Sequence, residues 1–142
     1  MNSIGERAQR ILGAIADAAA RAGRDPAEVR LIAATKTKPV EGLEEALAAG
    51  ITEFGENYVQ EAEPKIAAIG GRARWHLIGH LQRNKAKRAV ELFDTIHTVD
   101  NAALGRGLDR YASERGIVLP VLIEVNIAAE PSKSGDVHLD QY

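Results

Sequence analysis

The sequence has no cysteine, few aromatic residues and no excess of charge of either sign. Without cysteine, the 142-residue chain has no disulfide framework, no thiolate metal site and no cysteine nucleophile. Aromatic residues make up 4% of the chain, and 18 basic residues stand against 20 acidic ones. A net charge of −2 argues against nucleic-acid binding over the whole surface. These absences favour one globular unit, since about 100–200 residues is the usual length of a single domain.

Signals for membranes, secretion and metals are also lacking. No segment of the sequence approaches the roughly 20 apolar residues of a membrane span. The first residues, Met1 to Glu6, have neither the basic start nor the apolar stretch of a signal peptide. The four histidines show no H-E-x-x-H spacing, so we expect no metal site. We therefore expect a cytoplasmic protein with no membrane partner.

Helical and strand patterns alternate along the chain. Ser3 and Glu6 form a capping-box pair at the start of an amphipathic helix that ends near Gly23. Short apolar strands then recur every 20 to 25 residues, and Asp100 is the predicted N-cap of the last helix. The predicted strands are 29–35, 51–54, 75–78, 95–99 and 120–127, and the helices between and after them are 40–49, 59–69, 84–92 and 101–115.

Strands and helices that alternate at this interval predict an α/β fold with a parallel sheet. An open doubly wound sheet and a (β/α) barrel both meet this description. The absence of G-x-G-x-x-G and G-x-x-x-x-G-K-[ST] motifs favours the barrel, of the TIM-barrel type. Five strands are fewer than the eight of a full barrel, so we expect residues 1–142 to form a single partial barrel domain. Its exposed edge would allow copies of the chain to form an oligomer.

Polar residues at the predicted strand ends are the candidate site. Lys36 follows the first strand, Asn57 the second and Asn126 the fifth, while His76 lies within the third. The carboxyl ends of parallel strands form the active edge of such folds, and a neutral lysine amine can form a Schiff base with a carbonyl. The alternative interpretations are a solvated lysine, turn-forming asparagines and a hydrogen-bonded core histidine.

Two further segments carry groups that attract anions. The run from Gln82 to Arg88 contains four cations at a predicted helix start, a position where phosphate is attracted. The loop Ser132-Lys133-Ser134-Gly135 follows the fifth strand. A solvated helix face is the alternative for the basic run, because no aromatic residues alternate with its cations.

Longer motifs occur in order along the chain. They are A-A-T-K-T-K-P at 33–39, F-G-E-N-Y-V-Q-E at 54–61, W-H-L-I-G-H-L-Q-R-N-K at 75–85, V-N-I at 125–127 and K-S-G at 133–135. Together they resemble the pyridoxal phosphate homeostasis protein family. The resemblance covers nearly the whole chain, and the second and third motifs are long and specific.

The resemblance implies a barrel of the alanine racemase N-terminal type that binds pyridoxal 5′-phosphate (PLP). It implies that Lys36 holds PLP as an internal aldimine and that Asn57 lies beside the cofactor ring. We add His76 and Asn126 to the predicted cofactor-binding residues. Family members act in PLP homeostasis without an established catalytic turnover, so the resemblance implies no catalytic residue, and PLP-dependent apoenzymes are the expected partners.

The resemblance also implies that part of the cofactor site is supplied from elsewhere. In the family, the phosphate cradle and an arginine near the pyridine nitrogen come from later strands than the five predicted here. We therefore expect the sequence to represent a truncated member of the family. The alternative functions are a Schiff-base barrel enzyme, either racemase-like with PLP or aldolase-like without it, and a module that binds RNA or another anion through Arg83 to Arg88.

Overall fold

Helices and strands alternate through residues 3–128, the part of the chain that the computed structural model describes. The α-helices are α1 (Ile4–Arg21), α2 (Val40–Ala48), α3 (Val59–Ile69), α4 (Ala86–Leu92) and α5 (Ala102–Glu114). The strands are β1 (Ala33–Ala34), β2 (Glu53–Glu56), β3 (Arg74–Leu77), β4 (Thr95–Val99) and β5 (Val121–Ile123). Short 3₁₀ turns lie at Pro26–Glu28, Gly70–Arg72 and Arg83–Lys85.

The strands form one parallel sheet in the order β1-β2-β3-β4-β5. Strands that are neighbours in sequence are therefore neighbours in space, and a helix connects each pair. A doubly wound sheet would reverse its strand order at a switch point, and this sheet has none among the described strands. The predicted α/β fold is confirmed, with the strand order of the first five βα units of a barrel.

The helices cover one face of the sheet, which we call the outer face. Alternate residues of the central strands point toward the helices, and Phe54 and Trp75 pack with their ring centroids 5.5 Å apart. Leu77 and Ile96 are fully buried on the same face. The opposite, inner face carries Gly55, because a Cβ there would lie 2.9 Å from Ile78 Cδ1 and 3.1 Å from Ile32 Cγ2. The hydrophobic core therefore lies between the sheet and the helices.

The helix starts are fixed by local hydrogen bonds. At α1 the predicted capping box is confirmed: the Glu6 N–H donates to Ser3 Oγ, and the Ser3 N–H donates to Glu6 Oε2. At α5 the predicted N-cap was wrong by one residue. Asn101 Oδ1 accepts from the Leu104 N–H at 2.8 Å, while buried Asp100 accepts from Asn101 Nδ2. Asp100 still belongs to the end of the sheet.

The first and last strands are shorter than predicted. β1 has two paired residues in place of 29–35, and β5 has three in place of 120–127. Each borders a single described strand, so only part of its apolar run has a hydrogen-bonding partner, and the β4–β5 ladder is shifted in register between Ile96 and Val99. Leu122 and Ile123 are 51% and 58% exposed. The sheet therefore presents an apolar edge at β5.

Membrane and metal features can be assessed over the same residues. α1 has 18 residues and five charged side chains. None of the helices in residues 3–128 is both long enough and apolar enough to cross a membrane. Within that range, no group of three or more His, Cys, Asp or Glu side chains is placed to hold a metal ion.

Candidate functional site

Lys36 lies at the carboxyl edge of the sheet, in a turn that directly follows β1. The turn is closed by a hydrogen bond of 3.0 Å from the Lys38 N–H to the Thr35 carbonyl oxygen. Lys36 is exposed, and its amine contacts no hydrogen-bonding or charged group among residues 3–128. The turn after β1 therefore presents a primary amine that no other side chain in residues 3–128 contacts.

A buried ionic cluster lies behind this turn, between the sheet and α3. Lys65 Nζ donates to Glu56 Oε1 at 2.6 Å and to the Thr35 carbonyl oxygen at 2.8 Å. It also lies 3.3 Å from Glu61 Oε1. The Thr35 hydroxyl donates to Glu56 Oε1 at 2.5 Å. We call these four residues the Lys65 cluster. Glu56, at 0% exposure, is paired and hydrogen-bonded there through Oε1, while its Oε2 has no hydrogen-bonding partner among the described residues.

The Lys65 cluster holds the chain on both sides of Lys36. On one side, Thr35 is buried and bonded through its hydroxyl and its carbonyl oxygen. On the other, the Thr37 N–H donates to Glu61 Oε1 at 2.5 Å, and this bond is the main reason that the pKa of Glu61 is lowered, with Lys65 adding to it. Thr37 has a φ of 62°, a conformation unfavourable for a β-branched residue. The hydrogen bond to Glu61 compensates for this strain, so Lys36 projects from a fixed turn.

The sequence patterns did not indicate the roles of Lys65 and Glu61. The signal was present in α3, where Ala62 and Ile69 form a buried helical face that also includes Lys65. A lysine on a buried helix face requires an acidic partner, because an unpaired buried charge is costly. Glu61, one helical turn before Lys65, and Glu56, at the end of β2, are the partners that the structure shows, whereas Glu63, nearer in sequence, pairs with Arg88.

Asn57 lies beside the Lys36 turn at the same edge. β1 pairs with β2 through Ala34 and Gly55, and Lys36 and Asn57 each follow two residues later. The backbone of Asn57 is held by Gly79, where a Cβ would come within 2.2 Å of the Asn57 carbonyl oxygen. Position 79 therefore has no room for a side chain. The close approach locks the end of β2 against the loop that follows β3.

A cavity of about 380 Å³ opens between these two loops. Asn57, His80, Gln82 and Lys85 contribute polar groups to its wall. We call it the edge cavity. Its volume falls within the range of about 300–1,000 Å³ of small-molecule sites.

His76 occupies a different position from the strand-end residues. It is 2% exposed, in the middle of β3 on the inner face. Its Nε2 lies 2.8 Å from Glu53 Oε2, and its Nδ1 lies 2.9 Å from His97 Nε2. Glu53 also receives two hydrogen bonds from the Arg30 guanidinium. These four residues form what we call the inner polar row, in which both ring nitrogens of His76 are occupied.

The charges of the inner polar row shift its titration. The Arg30 guanidinium, with a smaller contribution from His76, holds the pKa of Glu53 below its ordinary value despite partial burial. Burial, followed by the charges of His76 and Arg30, lowers the pKa of His97 below 6.5. The row therefore combines an ionised carboxylate with a histidine that resists protonation. It lies below the edge that carries Lys36.

The remaining predicted anion and cofactor groups lie further along the chain. Asn126 is half-buried, three residues beyond β5, at the opposite end of the sheet from Lys36. The loop Ser132–Gly135 lies outside the described residues. The structure therefore places Lys36 and Asn57 side by side and Asn126 four strands away along the same edge.

The basic run from Arg83 to Arg88 does not form one patch. Arg88 pairs with Glu63 and, at 2.6 Å, with Glu91, and these carboxylates raise its pKa. Lys85 borders the edge cavity, whereas Arg83 faces a separate groove. Cations that are close together in sequence therefore have different surroundings in the structure. A single strip of positive charge for nucleic acid is therefore absent from this part of the described chain.

Comparisons with curated proteins confirm the resemblance read from the motifs. The family model of the alanine racemase N-terminal domain matches residues 12–142. The chain is 42% identical over 139 residues to the pyridoxal phosphate homeostasis protein of Pseudomonas aeruginosa and 41% identical over 140 residues to that of Escherichia coli K12. Each alignment covers 95% of this chain and 59% of the relative. The chain thus spans about three fifths of the length of the curated relatives it matches.

Solved structures show the same similarity. PipY of Synechococcus elongatus PCC7942, with PLP bound, matches with a TM-score of 0.72 and 43% identity over 86% of this chain and 58% of PipY. A protein from Bifidobacterium adolescentis matches with a TM-score of 0.79 and 38% identity over 93% of this chain and 58% of that protein. A D-threo-3-hydroxyaspartate dehydratase, at 22% identity and a TM-score of 0.62 over 95% of this chain and 33% of the dehydratase, shares the fold.

Proposed function

Because this chain belongs to the alanine racemase N-terminal domain family, we propose that it binds PLP and acts in the homeostasis of that cofactor. Relatives at 41–42% identity are named pyridoxal phosphate homeostasis proteins. PipY, at 43% identity, is described with PLP bound. The proposal extends the properties of these longer proteins to a chain that spans three fifths of their length.

The observation that carries the proposal is the placement of Lys36. PLP, when bound, supplies an aldehyde that condenses with a primary amine and releases water. Lys36 provides such an amine on a turn that the Lys65 cluster holds on both sides. An amine fixed in this way loses less conformational freedom on attachment than one on a mobile loop. The donor chemistry at this edge of the sheet therefore fits the cofactor.

Other residues at this edge are proposed to orient the cofactor. The Asn57 amide is held beside the Lys36 turn and offers both a donor and an acceptor to a ring substituent. Asn126 is proposed to contribute from the far end of the sheet. Both ring nitrogens of His76 already have hydrogen-bonding partners. We therefore propose that His76 supports the cofactor site indirectly, through the inner polar row. Gly55 on the inner face lets the Ile32 and Ile78 side chains pack against the strand backbone.

The test is to locate the attachment site chemically. PLP is added to the purified chain, the visible absorbance is recorded, and borohydride reduction is followed by peptide mapping. We expect the pyridoxyl mass on Lys36 and its loss in Lys36→Ala. Lys38→Ala is the matched control, because it removes another exposed lysine two residues away. Uniform labelling of many lysines, or equal labelling of Lys36→Ala and the parent chain, would contradict the proposal.

We further propose that the protein passes PLP to PLP-dependent apoenzymes without catalysing a reaction of its own. The names of the curated relatives refer to homeostasis and to no reaction. The test mixes the PLP-loaded chain with a PLP-free aminotransferase and follows the recovery of aminotransferase activity. Recovery faster than from an equal concentration of free PLP is the expected result. Turnover of alanine enantiomers by the loaded chain alone would instead identify a racemase-like enzyme.

Three sequence predictions complete this proposal. The single partial barrel domain predicts one cooperative unfolding transition, which calorimetry measures. The exposed β5 edge predicts an oligomer, and sedimentation equilibrium measures its mass. A cytoplasmic location is checked by fractionation of the source cells.

A further inference from the structure

A second concave surface lies between α4 and α5. It encloses about 580 Å³ and shares no lining residue with the edge cavity. Arg83, Arg106 and Arg110 all line it, together with Asn84 and Tyr111. No acidic residue contributes to this lining. We call this surface the arginine groove.

Two of the three arginines are free to bind a ligand. Arg110 pairs with Glu114 at 3.9 Å, donates to the Tyr111 hydroxyl at 2.7 Å and lies 4.6 Å from the centre of the Tyr111 ring. Among residues 3–128, the Arg83 and Arg106 side chains form no ion pair and donate no hydrogen bond to another described group. Both side chains are exposed. By contrast, Arg88, five residues after Arg83 and in α4, is paired with two glutamates.

The floor of the arginine groove is kept open by small residues. Ala103 and Gly107 lie one turn apart on α5, and Ala86 faces them from α4. A Cβ added to Gly107 would meet no atom within 4 Å. Glycine is a poor choice inside a helix for stability alone. Here it leaves space beside the guanidinium groups.

We propose that the arginine groove binds a small ligand that carries a phosphate or diphosphate group. Guanidinium groups bind phosphate oxygens through paired hydrogen bonds, and the groove has the size of a small-molecule site. The Asn84 amide and the Tyr111 hydroxyl add neutral hydrogen-bonding groups at its wall. Nucleic acid would need a longer basic surface, whereas this one is confined between two helices. The groove binds its ligand independently of Lys36.

The test measures binding of inorganic pyrophosphate to the full chain by isothermal titration calorimetry at low salt. We expect saturable binding with one site per chain. Arg83→Gln and Arg106→Gln should each weaken it by about tenfold, because each removes a charge-assisted pair of hydrogen bonds. Arg10→Gln on α1 removes the same charge from an exposed position elsewhere and should leave the affinity unchanged. Circular dichroism confirms that each variant folds.

A second variant separates a shaped site from simple charge attraction. Gly107→Leu keeps all three arginines, places its side chain in open space and favours the helix. We expect it to abolish pyrophosphate binding, and Lys36→Ala to leave that binding intact. Full affinity in Gly107→Leu, equal weakening in Arg10→Gln, or no saturable binding would each overturn the proposal. Tighter binding of a short single-stranded RNA than of pyrophosphate would also overturn it in favour of a nucleic-acid surface.

Discussion

The two faces of the sheet are built from different kinds of residue. On the outer face, Phe54, Trp75 and Leu77 pack beneath the helices, and the charged groups of Glu56 and Lys65 are paired within the Lys65 cluster. On the inner face, the Ile32 and Ile78 side chains pack against Gly55, beside the inner polar row. The outer face therefore supplies much of the stability, while the residues proposed to bind PLP lie on the inner face and its edge. Substitutions on the two faces should accordingly affect different measurements.

The largest effect is expected when the Lys65 cluster is broken. Lys65→Ala leaves Glu56 buried without its cation and should lower the free energy of unfolding by about 4 kcal/mol. Urea denaturation measures this change, and Lys87→Ala, which removes an exposed lysine from α4, is the control. The double variant Glu56→Gln, Lys65→Met removes both charges and should recover much of the loss. A single variant as stable as the parent chain would refute the role assigned to the cluster.

A neighbouring pair of residues compares the two faces directly. Leu77 is fully buried on the outer face, whereas Ile78 is half-buried on the inner face. Leu77→Ala should lower the free energy of unfolding by about 3 kcal/mol, since it removes buried methyl groups and leaves a cavity. Ile78→Ala removes as many carbon atoms and should cost less than half as much. Equal costs in urea denaturation would show that the faces are equally packed.

A smaller effect on stability is expected at Gly55. In Gly55→Ala the added methyl group would press on the ends of the Ile32 and Ile78 side chains, which can move. The free energy of unfolding should fall by about 1 kcal/mol. Borohydride trapping of PLP on Lys36 should fall by a larger factor than in Ile78→Ala. If trapping is unchanged while stability falls, the inner face does not take part in binding the cofactor.

The smallest effect is a pH dependence that arises on the inner face. The pKa of His97 is lowered in the folded chain, so the unfolded chain binds more protons between that lowered pKa and 6.5. Stability is therefore fully present above about pH 6.5 and declines as the pH falls through this interval. Urea denaturation at pH 7.5 and 5.5 measures the decline, and His97→Gln should reduce it. The pKa of Glu53 is also lowered, but its contribution is lost only at more acidic pH.

Much of this fold could be predicted from local patterns. The Ser3–Glu6 capping box depends on residues three apart, so the sequence contains all of it. The five strands and their parallel order follow from the regular alternation of strand and helix. The family was predicted from motifs that include Lys36 and Asn57, and the family match confirms it. Features that depend on neighbours in sequence were therefore the predictable ones.

Features that depend on contacts between distant segments were not predicted. The length of β1 is set by the extent of its pairing with β2, which its own apolar run does not reveal. The Lys65 cluster requires α3 to pack against the ends of two strands. The arginine groove brings Arg83 beside Arg106 and Arg110, which lie more than 20 residues later. Sequence proximity instead suggested one basic patch from Arg83 to Arg88.

The close approach between Gly79 and Asn57 has a mechanical consequence. The carbonyl group of Asn57 fills the space that a side chain at position 79 would need, so the contact is made by two backbones. The loops after β2 and β3 are therefore in direct backbone contact, and neither can approach the other more closely. A ligand that displaces Asn57 would shift the wall of the edge cavity near Lys85 through the main chain. At this edge of the sheet, the loops after β2 and β3 are thus joined by a backbone contact. The neighbouring Lys36 turn instead presents a side chain that contacts no other described group.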